Sequence, residues 1–213
     1  MNYWHNLVTE KSFDLLKRLR KEYSFILIGG WAIYLYTGGL KSKDIDMVVE
    51  YEELGRLKEK FPLTKNERLK RYEIKEEEID VDIYVPYYSD PGLPAEVIRK
   101  YTTEREEFRV PMPEVLLILK QKAFSERRDS IKGEKDRIDI FSLLKESPVD
   151  FALYLKILKE HKRPEFSREL VNLALTTSEV KEAALNRPAF ARLRKEILAN
   201  ISSSQPSSLV GEG

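Results

Sequence analysis

In the segment Lys43-Asp-Ile-Asp-Met-Val-Val49 two aspartates, Asp44 and Asp46, alternate with apolar residues, and a glycine pair, Gly29-Gly30, closes an apolar run just upstream. A strand turns successive side chains to opposite faces, so Asp44 and Asp46 are expected on the same side. Two carboxylates held that close repel by about 4 kcal/mol at ~4 Å and an effective dielectric near ~20. An apolar strand tolerates such a pair only with a divalent cation, a shared proton or a positively charged partner nearby. With a phosphate-sized glycine turn upstream, a cation is the reading adopted here.

Composition narrows the identity of that cation. The chain of 213 residues has no cysteine and only two histidines. Disulfides and thiolate metal sites are therefore excluded. His5 and His161 lie far apart and form no ligand motif, which argues against zinc. What remains is a hard ion held by oxygen, Mg²⁺ or Mn²⁺. A net charge of +1 leaves nucleic-acid binding to the local distribution of charge. No apolar run approaches a membrane span, and Met1-Asn-Tyr-Trp-His5 lacks the layout of a secretion signal. The sequence thus reads as cytoplasmic, with no membrane partner.

Periodicity predicts an α/β fold: a mixed sheet flanked by helices over 1–111, a helical domain over 112–201, and a disordered Ser/Gly-rich tail over 202–213. The expected order begins with a helix over 6–22, a strand over 25–28, a short helix over 31–36 ended by Gly38-Gly39, a strand over 45–49 and a helix over 52–61. A strand pair over 68–74 and 78–85 follows, then a helix over 95–101 and a strand near 108–110. Within Ile79-Asp-Val-Asp-Ile-Tyr-Val85 strict alternation puts Asp80 and Asp82 on one face. From Pro113 onward only helices are predicted, over 114–124, 136–145, a stripe through Phe151, Tyr154, Leu155 and Leu158, then 168–175 and 188–198.

A hydrophobic-Gly-Gly element, a spacer, Asp-x-Asp and a third carboxylate on a later strand resemble the DNA polymerase beta superfamily of nucleotidyltransferases. The matching residues are Gly29, Gly30, Asp44, Asp46 and either Asp82 or Asp80. Lys41-Ser42-Lys43 before the first aspartate, Leu116-Leu-Ile-Leu-Lys120, and Arg127, Lys135 and Asp136 resemble its minimal and abortive-infection-type members. The resemblance implies transfer of a nucleotidyl group from a nucleoside triphosphate to an acceptor hydroxyl, with release of pyrophosphate. Three acidic groups would hold two divalent ions about 3.5–4 Å apart. Asp44, Asp46 and Asp82 are the expected catalytic and metal-holding residues. Gly29, Gly30, Lys41, Ser42 and Lys120 are the expected nucleotide contacts.

Between Asp80 and Asp82 periodicity does not decide; Asp82 is favoured because it lies deeper in the apolar strand. Lys120 has a competing reading as a structural lysine paired with Asp136 or Asp139. Tyr84, Tyr87 and Tyr88 are read either as base-stacking residues or as loop packing. Lys17, Arg18, Arg20 and Lys21 are read as RNA contacts or as a solvated helix face, and Trp31 as core. The expected acceptor is tRNA, another RNA or a partner protein, in a toxin–antitoxin or defence setting with a cognate partner. The alternatives are an aminoglycoside-type nucleotidyltransferase and a non-catalytic binding or antitoxin module on the same fold.

Overall fold

A computed structural model of the chain describes residues 2–203. Helix α1 (Asn2–Glu22) buries Leu15, Leu16 and Leu19 and shows its basic residues to solvent. Ser12, on the same buried face, accepts a hydrogen bond from Trp31 Nε1 at 2.9 Å. Trp31 is 1% exposed and belongs to the core, as expected.

Strand β1 (Ile26–Ile28) leads into α2 (Gly29–Thr37), then β2 (Ile45–Val48) and α3 (Tyr51–Lys60), which ends just before Pro62. A meander follows, β3 (Leu63–Asn66), β4 (Arg71–Glu76) and β5 (Ile79–Tyr84). The five strands form one sheet in the order β1-β2-β5-β4-β3. Only β2 and β5 pair in parallel; the other neighbours are antiparallel, so the sheet is mixed, as predicted. Strand β3 was not expected, because Leu63-Thr-Lys-Asn66 lies at the sheet edge with no fully buried residue and hence no apolar alternation. The same reason hides β6 (Thr102–Arg105), which pairs with β7 (Phe108–Pro111) behind the short helix α4 (Ala95–Ile98).

The second half is helical: α5 (Pro113–Arg127), α6 (Ile131–Glu146), α7 (Phe151–Glu160), α8 (Glu165–Thr176) and α9 (Arg187–Ser203), with one 3-10 turn at Lys181–Ala183. Helix α5 is buried on every face from Glu114 to Gln121, the signature of a central helix. One continuous cluster of buried apolar residues runs from Leu15 through the sheet and α5 to Ile201. The tail expected to be disordered falls outside the described residues from 204 on, and Ser202 and Ser203 belong to α9. No helix among the described residues is long and apolar enough to cross a membrane.

Candidate active site

The parallel pairing of β2 with β5 sets Asp46 directly opposite Asp82. In-register residues of neighbouring strands project to the same face, so the two carboxylates stand side by side. Asp44 sits in the bend just ahead of β2. All three open into one cleft of about 1010 Å³, floored by the sheet and walled by α5 and α6. Asp80 also reaches this cleft, but it is exposed and lies opposite Lys75. Asp82 is only 9% exposed. Of the two aspartates left open by periodicity, the fold brings Asp82 beside Asp46.

Burial and mutual repulsion mark this pair electrostatically. Burial first, and Asp46 second, push the Asp82 carboxyl up to about 7, against the pull of Arg71. Burial likewise raises Asp46, with Asp44 adding to it and Lys120 opposing. Asp82 Oδ2 lies 2.7 Å from Arg71 Nη1. Asp44 Oδ2 lies 3.1 Å from Lys132 Nζ, an exposed lysine on α6. Asp46 makes no ion pair among the described residues; Lys120, Arg71 and Arg127 act on it only from a distance. Tyr84, two residues beyond Asp82 on the same face, is driven up by burial and by Asp46 and Asp82.

The glycine pair has a role that its sequence context does not disclose. Gly29 has φ +68°, and a Cβ there would sit 2.0 Å from Asp46 Oδ2. It is thus required both by the left-handed backbone and by the closeness of the carboxylate. A Cβ on Gly30 would sit 2.7 Å from Ser42 Oγ and 3.4 Å from Lys135 Nζ. Ser42 is buried, and its hydroxyl donates to the Asp44 carbonyl at 2.9 Å, which fixes the bend presenting Asp44. Lys41 is exposed and its side chain does not line the cleft; it takes part through its carbonyl, which accepts from Lys135 Nζ at 3.2 Å.

On the helical wall, Lys120 is 7% exposed and lies 3.2 Å from Asp136 Oδ1 and 2.7 Å from Asp139 Oδ2. Burial opposes its charge, but these two carboxylates outweigh that and raise its pKa. Arg127 completes the network with bonds to both oxygens of Asp136, at 2.7 and 3.0 Å. The structural pairing weighed for Lys120 is therefore present, at the back of the cleft. Lys135 is different: burial lowers its pKa, and it donates a hydrogen bond to the Lys41 carbonyl rather than to a carboxylate. Of the tyrosines, Tyr84 and Tyr88 line the cleft whereas Tyr87 is 79% exposed outside it. The basic residues of α1 lie away from it; Lys17 pairs with Asp14, and Arg20 with Glu107.

The donor chemistry suits a hard divalent cation: three carboxylates, no sulfur and no imidazole, in one cleft. Among the described residues, however, no three acidic or histidine side chains already converge as a ligand set. Asp82 is turned to Arg71 and Asp44 to Lys132. Sequence reasoning did not assign Arg71, Glu73 or Lys132 to the site. They come from β4 and the start of α6, and no spacing rule links them to the Asp-x-Asp element. For Lys135, its place beside Asp136 in the segment already singled out was the available signal.

No protein-family model matches the chain, and no curated protein is significantly similar to it. Solved structures do resemble it. An antigenic nucleotidyltransferase-like protein from Paracoccidioides brasiliensis is 17% identical over 88% of this chain and 92% of its own, with a TM-score of 0.50. JHP933 from Helicobacter pylori is 21% identical over 93% and 92%, with a TM-score of 0.46. The Megavirus polyadenylate synthase is 17% identical over 78% of this chain and 38% of its own, with a TM-score of 0.44. At 17% identity the likeness to the first of these shows the fold alone. Taken with the mixed sheet and the helical half, it gives this chain the nucleotidyltransferase-like fold.

Proposed function

We propose that this protein is a Mg²⁺- or Mn²⁺-dependent nucleotidyltransferase that moves a nucleoside monophosphate from a nucleoside triphosphate to an acceptor hydroxyl. The observation that carries this reading is the meeting of Asp44, Asp46 and Asp82 in one cleft with Gly30 and Lys135. Asp44, Asp46 and Asp82 are the residues that would hold the metal. When bound, it supplies charge neutralisation at the triphosphate and lowers the pKa of the attacking hydroxyl.

The remaining work falls to the chain itself. Helix α2 begins at Gly29, so its first free backbone N–H groups are available to phosphate oxygens. Lys135 is the better assigned phosphate contact, because Lys120 already serves Asp136 and Asp139. Along the sheet-side lip, the exposed turn carrying Arg68 and Lys70 lines the cleft, and Lys65 and Lys70 lie 4.8 and 5.3 Å from the Tyr88 ring. This basic, aromatic edge suits a polyanionic acceptor, and the acceptor assigned here is an RNA end. The toxin–antitoxin or defence setting rests on the sequence resemblance alone.

Incubation with α-labelled nucleoside triphosphates, Mg²⁺ and total tRNA is expected to place label in RNA, and Asp46→Asn to reduce it about 10³-fold. Label entering a protein of a cell extract or an added aminoglycoside would redirect the acceptor while keeping the chemistry. Absence of label from all of them, with no pyrophosphate released, would favour a binding module on this fold. That second reading draws support from the ion pairs already made by Asp44 and Asp82.

A further inference from the structure

The carboxylate floor carries a cation of its own, placed more deliberately than a surface ion pair. Arg71 Nη1 lies 2.7 Å from Asp82 Oδ2, while Arg71 Nε donates to Glu73 Oε1 at 2.9 Å. The side chains of Arg71, Asp82 and Glu73 are 23%, 12% and 22% exposed, so the cluster is largely shielded from water. Register explains the arrangement: Glu73 of β4 stands opposite Asp82 of β5, and Arg71 lies two residues before Glu73 on the same face. Glu73 is itself held by Asn66 Nδ2 at 2.9 Å. One guanidinium fork is thus shared between a carboxylate of the proposed metal set and a second carboxylate outside it.

We infer that Arg71 is a resident counter-ion that competes with the divalent metal for Asp82, and that Glu73 sets the outcome by offering Arg71 a second anchor. This inference rests on the metal-dependent reading above. An oxygen of Asp82 engaged at 2.7 Å by a guanidinium does not give the same lone pair to a metal. Loading the site through that oxygen therefore requires Arg71 to shift its weight toward Glu73, where a bond already exists. Lys132 on Asp44 is the contrasting case: its side chain is 65% exposed, so the pair is screened and yields easily.

Titration calorimetry of Mn²⁺ into the full chain and its variants tests this. Arg71→Met is expected to bind Mn²⁺ about tenfold more tightly, the low end of what a neighbouring guanidinium does to a carboxylate. Glu73→Gln is expected to bind about threefold more weakly, because Arg71 then leans on Asp82 alone. In the Arg71→Met background, Glu73→Gln is expected to change nothing, since Glu73 acts through Arg71. Lys132→Met, which frees Asp44 from a pair already screened by solvent, is expected to tighten Mn²⁺ binding by less than Arg71→Met does; a larger effect than that of Arg71→Met overturns the inference.

Unchanged or weakened binding in Arg71→Met overturns the inference and leaves the metal reading intact. So does an equal effect of Glu73→Gln in both backgrounds, which would mean that its charge acts directly. If neither the natural chain nor folded Arg71→Met binds Mn²⁺, the metal reading falls and the competition with it. Should Arg71→Met not fold by circular dichroism, Arg71→Gln carries the same comparison.

Discussion

On the helical wall of the cleft, Asp136 and Asp139 are each 1% exposed, and Lys120 and Arg127 meet them with short contacts. On the sheet wall, Asp46 has no ion pair among the described residues, and Asp82 must share Arg71 with Glu73. Both walls bury carboxylates, but only on the helical one does each of them make an ion pair. A fully paired buried cluster specifies geometry, whereas an under-compensated one holds capacity for an incoming cation. On the proposed reading the chemistry belongs to the sheet wall, and the helical wall holds α5 against α6.

The sharpest break of this contrast is Asp46→Asn. Transfer should fall by about 10³-fold, the order expected when one preorganised charge-stabilising group is lost. The melting temperature should hold or rise slightly as repulsion is relieved. A loss of folding in that variant would move Asp46 to the structural side. Next in size is Lys120→Met, which strands Asp139 and half-strands Asp136; urea unfolding should show a loss of about 3–5 kcal/mol. Intact stability with lost nucleotide binding would reverse the roles given to the two walls.

Gly29→Ala should cost about 1–3 kcal/mol from its φ alone, and should also disturb activity because the new methyl meets Asp46. The pH profile sharpens the same point more gently. Asp82 is raised from 3.8 to about 7, so between those values the unfolded chain releases the proton first. Stability should therefore be greatest below pH 3.8 as far as this group is concerned, decline as pH rises toward 7, and then level off. Asp82→Asn should flatten that slope in pH-dependent melts. The smallest expected effect is at the lip: Arg68→Ala should weaken RNA binding across sequences and lower the salt slope by about 1.

Much of the fold was legible because its buried elements carry strong periodicity. The strands bearing Asp46 and Asp82, the helices α5 to α9 and the end of α3 before Pro62 all announced themselves. The edge strands β3 and β6 did not, since strands with little buried surface lack an apolar face to read. At the site, the sequence singled out Asp44, Asp46, Gly29 and Gly30 but left Asp80 and Asp82 unresolved. The pairing of Asp46 opposite Asp82 separates those two, and pairing across the sheet is a long-range choice. Lys120 shows the same boundary, because one helix does not reveal which carboxylates of the next will face it.

Local alternation was enough to set Asp46 in an apolar strand beside a glycine turn and to put Asp80 and Asp82 on one face of another, because alternation is a property of the backbone itself. Tertiary structure alone decided which cation each carboxylate meets: Arg71 for Asp82, Lys132 for Asp44, and none for Asp46 among the described residues. Counter-ions arrive from strands and helices tens of residues away. Their positions follow from register and helix packing, which side-chain spacing along the chain does not encode.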